Sequence, residues 1–142
     1  MPGQPPPQWQ PISKIFTFGT MVDGMLENAQ EQYALLLAAR SSPHVLDDDT
    51  VRRVVEVYTA QRDDLWLWDE QLRRWVAEPL TGIRRHEVER LQGQMIALHE
   101  VIASILTLAN ELKWGTIETV LAKDDMELGL EMLRRNTREE RR

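Results

Sequence analysis

No cysteine occurs in this chain. That excludes a disulfide framework, a thiolate metal site and a thiol nucleophile. Histidine is scarce, with three in 142 residues. His86 and His99 stand thirteen positions apart, about 220° round a helix, so one chain cannot bring both to a single ligand. The Glu-x-x-His order of di-iron bundles is missing, and so are a Gly-rich phosphate loop, a zinc spacing and a Ser/His/Asp arrangement. No unbroken apolar run approaches the ~18 residues a bilayer crossing needs. The opening MPGQPPPQWQP lacks the basic and apolar regions of a signal peptide. The expectation is a cytoplasmic protein, with no membrane association and no cofactor.

The length suits about one domain. Hydrophobic residues make up 42% and charged residues 28%, an ordinary balance for a folded chain with charged helix surfaces. The net charge of -6 is unevenly spread. Residues 134–142 hold five arginines and two glutamates, a net of +3, which leaves -9 on the remainder. An acidic body repels nucleic acid, and +3 is a small charge for gripping a phosphate backbone. Nucleic acid is therefore not the expected partner, and weak binding through the arginine-rich end is kept as an alternative.

The most informative pattern is apolar. Val88, Leu91, Met95, Leu98, Ile102, Ile105, Ala109 and Leu112 follow one another at steps of three and four, with no polar interruption. Such a seam must lie against other helices. It predicts a helix from about Ile83 to Trp114, with Gly115 as its stop. Asp47, Asp48, Asp49 and Thr50 predict the start of a preceding helix. That helix carries the seam Val51, Val54, Tyr58, Gln61, Leu65, Trp68, Leu72, Trp75 and ends at or just before Pro79. The short link 79–82 predicts an antiparallel pair. Val22, Leu26, Ala29, Tyr33 and Leu36 predict a shorter helix over Thr20–Arg40.

The predicted fold class is all-α: a helical bundle built on a long antiparallel helical hairpin, with a shorter N-terminal helix and short C-terminal helices. Five of the seven prolines lie in the first eleven residues, so residues 1–19 are expected to form a Pro-rich, extended arm. Within it, residues 12–18 (ISKIFTF) are expected to be a short extended piece or an apolar strap, ended by Gly19. Residues 20–135 form the single bundle domain, and 136–142 a charged tail. In the C-terminal segment, Thr116 predicts one short helix. Asp124 with Glu127, at capping-box spacing, predicts a second. The segment is expected to fold back on the hairpin.

The apolar arc of the third helix is wider than one neighbour needs, because Ala97, Val101, Ser104 and Leu108 flank one side and Ile96, Ala103 and Leu106 the other. A homo-oligomer, a dimer, is the expected state. Trp66, Trp114, Val101, Leu108, Leu128 and Leu130 are the expected self-association or partner contacts. Aromatic residues at an exposed face or a hinge suit such contacts.

Asp63 to Glu70, DDLWLWDE, resembles over eight residues the aspartate-rich Mg-diphosphate motif of prenyl-transferring enzymes. The resemblance implies a second acidic helix across a large cavity. This chain is too short for that fold and carries no matching second motif. Glu56, Asp63 and Glu70 recur at intervals of seven and share a face. Turned inward at a dimer interface, such carboxylates would hold Mg in a nucleotide hydrolase. The seam register places them outward, as a solvated face with intrahelical ion pairs. No catalytic or metal-binding residue is assigned. The expected function is a non-catalytic helical interaction, adaptor or regulatory protein, with the Mg-dependent hydrolase as its rival.

Overall fold

The computed structural model describes residues 5–42, 46–113 and 117–140. It is all-helical there, with a 3-10 turn at Ile12–Lys14 leading into α1 (Ile15–Arg40), then α2 (Asp48–Val76), α3 (Gly82–Leu112) and α4 (Ile117–Glu140). α1 and α2 each pack along α3, which occupies the centre.

Local chemistry explains the boundaries. The Asp47 carboxylate accepts the amide of Thr50 at 2.7 Å and caps α2. This contact holds the Asp47 carboxyl below the usual carboxylate range. Pro79 lies in the link that ends α2. At the start of α3, Gly82 has φ +60°, a conformation that side chains other than glycine's resist.

Every residue of the α3 seam is buried, from Val88 at 2% exposed to Leu112 at 4%. α2 supplies Val51, Val54, Tyr58, Leu65, Leu72 and Trp75 to the same core, and α1 supplies Val22, Leu26, Ala29 and Leu36. Gln61, Trp68 and Tyr33 lie partly buried at the margins. A fully buried aliphatic side chain contributes roughly 1.5–3 kcal/mol, so the shared core far outweighs the exposed ion pairs.

Two expectations for secondary structure are corrected. Residues 12–18 are not extended, and Gly19 does not end them: α1 begins at Ile15 and runs through Gly19. The seam of α1 simply extends backward, with Ile15, Gly19 and Val22 all buried at steps of four and three. Gly19 permits close approach to α3, since a Cβ there would stand 3.2 Å from Glu87 Oε1 and 3.4 Å from Leu91 Cδ1. At the other end, α4 is one continuous helix of 24 residues rather than two short ones. Asp124 and Asp125 are tolerated inside it because Ala122, Lys123, Met126, Glu127 and Leu128 around them are good helix formers. α4 also does not fold back as expected. Among the described residues its contacts with the other helices are sparse, and Leu121, Met126, Leu128, Leu130, Met132 and Leu133 are all more than half exposed. The expected stop at Gly115 and cap at Thr116 lie outside the described residues.

α3 also bears on membrane crossing. Its length and composition pass the test for a membrane span, with an 18-residue window of mean hydropathy 1.4. A core helix passes the same test, and here the apolar seam lies between α1 and α2.

Ionic contacts fix the register of the packing. Arg90 on α3 donates from Nη1 and Nη2 to the two carboxylate oxygens of Asp23 on α1, both at 2.9 Å. Gln94 Nε2 donates to the same carboxylate at 3.0 Å. Nearer the other end of these helices, Arg40 Nη2 meets Glu111 Oε2 at 3.2 Å. On α2, Asp69 Oδ2 lies 2.7 Å from His99 Nε2 of α3.

Two outcomes follow from this packing. Ile102→Ala should lower unfolding free energy by about 2–5 kcal/mol, because it opens a void in a fully buried site. Ile96→Ala, on the exposed side of α3, should stay within about 0.5 kcal/mol. Urea titration of both variants distinguishes core from surface. The Arg90 guanidinium, through its hydrogen bonds, holds the Asp23 carboxyl below its ordinary 3.8. A lowered folded-state pKa gives stability that is present above the unfolded value and lost as pH falls through the folded one. Asp23→Asn should therefore melt below wild type at neutral pH, and the gap should close in strong acid. Both partners are partly solvated, so the gap should also shrink in high salt.

Candidate functional site

The most constructed polar arrangement among the described residues joins the proline-rich arm to α2. Pro11 starts it. Its carbonyl accepts the amide of Lys14 at 3.0 Å, closing the 3-10 turn that leads the arm into α1. The preceding residue, Gln10, is thereby presented to α2.

Gln71 is the buried polar side chain of the core, at 4% exposed. Its Oε1 accepts the Gln10 amide at 2.6 Å, and its Nε2 donates to the Gln10 carbonyl at 3.3 Å. Trp75 Nε1 donates to that same carbonyl at 3.0 Å. The backbone of one residue of the arm is thus held by three hydrogen bonds. This is what a buried amide and a buried indole require, since leaving either unpaired costs free energy.

Aromatic contacts complete the clasp. Trp9 meets Trp66 edge-on with ring centroids 6.5 Å apart, and the Arg74 guanidinium lies 4.3 Å above the Trp9 ring. Phe18 of α1 contacts Trp68 at 4.8 Å and Trp75 at 5.0 Å. Beside these rings lies an open cavity of about 570 Å³ whose walls include Trp9, Phe18, Met21, Leu67 and Trp68. Lys14, Thr17, Gln8, Gln10 and Gln71 supply its polar groups. Its size and apolar lining suit binding. Among the described residues that line it there is no carboxylate and no histidine.

The six residues expected to make contacts do not form one site. Trp66 is 55% exposed and belongs to the clasp. Leu108 is 2% exposed, so it serves the core of its own chain, with Val101 partly buried beside that core. Leu128 and Leu130 are exposed on α4, at 58% and 52%. Trp114 lies outside the described residues.

The carboxylates do not converge. Glu56 and Asp63 are exposed, and Glu70 pairs with Arg73 at 3.1 Å and Arg74 at 3.4 Å on its own helix. Among the described residues no group of three or more His, Asp or Glu is placed to hold a metal ion. His86 is exposed, and His99 is occupied by Asp69.

The clasp residues Gln10 and Gln71 were not singled out by sequence pattern. One signal was present: Gln71 falls between Trp68 and Trp75 at steps of three and four, a polar residue on a buried stripe. Its partner, a backbone amide 61 positions away, has no sequence signature. Comparison with protein-family models, with curated proteins and with solved structures gives no match to this chain.

Gln71→Ala should release the arm, because the Gln10 amide and carbonyl lose paired groups worth about 1–3 kcal/mol. Hydrogen exchange at the Gln10 amide should accelerate about tenfold or more, the factor that 1.4 kcal/mol represents. Trp75→Phe should have a smaller effect on the same amide. Unchanged protection in both variants would show that the clasp does not hold the arm.

Proposed function

We propose that this chain is a non-catalytic helical interaction protein, an adaptor or regulatory component that self-associates and presents apolar helix surface to a partner. Its scaffold is a long antiparallel hairpin of α2 and α3, with α1 laid on the other side of α3. The pairing of Asp69 with His99, and the short link 77–81, support that arrangement. The cytoplasm is the compartment this reading assigns.

The observation that carries the proposal is α4. A helix of 24 residues would be about 36 Å long, and this one leaves six large apolar side chains exposed. Leu121, Leu128 and Met132 share one side of the helix, and Met126, Leu130 and Leu133 the other, so the exposed apolar groups are grouped rather than scattered singly. Among the described residues the buried core is drawn from α1–α3, which supports a use for α4 outside it. The scattered carboxylates favour no catalytic alternative.

Two measurements test this reading. A chain ending at Lys113 should melt within a few degrees of the full chain, since no described α4 side chain is buried. A large fall would make α4 part of the core and remove the surface on which the proposal stands. The full chain should also melt at an unchanged temperature when divalent ions and nucleotides are added. A ligand that binds the folded state raises the melting point by mass action, so a reproducible rise with Mg and a nucleotide would overturn the non-catalytic assignment.

A further inference from the structure

We infer that α4 pairs with α4 of a second copy of this chain, in antiparallel orientation. The inference rests on the functional reading above and names the first occupant of the surface identified there. Two features of the helix support it, one apolar and one electrostatic.

Leu121, Leu128 and Met132 follow at steps of seven and four, which places them on one side of α4. They are 57%, 58% and 65% exposed. The described residues of α1–α3 make only sparse contact with this helix. A second copy offers the same surface, so the contact would be isologous and closed, as a twofold dimer requires.

Charge selects the direction. Residues 117–131 hold five carboxylates and one lysine, a net of -4, whereas residues 134–142 hold five arginines and two glutamates, a net of +3. Asp124, Asp125 and Glu127 fall in the acidic half of the segment, and Arg135 and Arg138 in the basic half. A parallel pair would set acid beside acid and base beside base. An antiparallel pair sets each acidic half beside the partner's basic half, twice over because of the twofold. Complementary halves fix register and exclude the wrong orientation even where each exposed ion pair adds little affinity. The arginine-rich end, too weakly charged to grip nucleic acid, thereby acquires a role within the protein.

The test uses the full chain. Sedimentation equilibrium of wild type should give twice the 16.5 kDa chain mass at tens of micromolar. The variants Asp124→Arg/Asp125→Arg and Arg135→Glu/Arg138→Glu should each associate at least tenfold more weakly, with circular dichroism unchanged. Mixing them in equal amounts should restore the double mass, because each then supplies the charge the other lacks.

The natural absence of cysteine makes orientation directly readable. Chains carrying Leu121→Cys and Arg135→Cys should cross-link to each other on mixing and form little 121–121 or 135–135 product. A single-chain mass for wild type, variants that stay dimeric, or like-position cross-links would each overturn the pairing. None of those results would move the melting temperatures that decide the adaptor reading, so the two fail separately.

Discussion

The unbroken apolar seam of α3 is the constraint on which the rest of this molecule depends. Eight side chains from Val88 to Leu112 lie on one winding line, and each is almost wholly removed from water. A single neighbouring helix cannot cover so wide a surface, and the chain supplies two, α1 and α2. Leu106 and Leu108, flanking the seam, are buried by the same pair of contacts. The central helix consequently reads as apolar enough for a membrane, yet its apolar line is buried against protein.

Around that core, polar contacts decide where elements stop and how they are joined. The bidentate Asp23–Arg90 pair and the Asp69–His99 contact add specificity of register to α1 and α2 on α3. Their exposure keeps their energetic weight small beside the core. The arm behaves differently. Prolines restrict its backbone and remove hydrogen-bond donors, so it cannot contribute a helix of its own. It contributes instead the backbone N–H and C=O of Gln10 to a buried amide and an indole on α2. The cavity beside this clasp is lined by rings already committed to holding the arm, which ties the two structurally.

α4 stands apart because its sequence is helical without being matched to the other three. Its leucines and methionines give it an apolar load comparable to a packed helix, but the described core is drawn from α1–α3. Proteins rarely leave such a surface in water without a use for it. Its charge is divided along the sequence, acidic over residues 117–131 and basic over residues 134–142.

The sequence by itself determined the helical class, the α3 seam residue by residue, the Asp47 cap, the break at Pro79 and most of the buried faces of α1 and α2. These features are local or periodic, and three-and-four spacing or capping chemistry encodes them directly. Where the reading failed, the reason was also physical. Residues 12–18 looked extended because prolines precede them and Gly19 follows, and only contact with α3 showed that Gly19 is a place of close approach. Asp124 resembled a cap, although nothing nearby forces the helix to break. What the tertiary structure alone decided was how distant parts meet: that Gln71 serves the backbone of Gln10, that Leu108 belongs to the core, and that no described residue of α4 is buried in that core. Such pairings depend on which surfaces are already covered, and no pattern confined to a single segment carries that information.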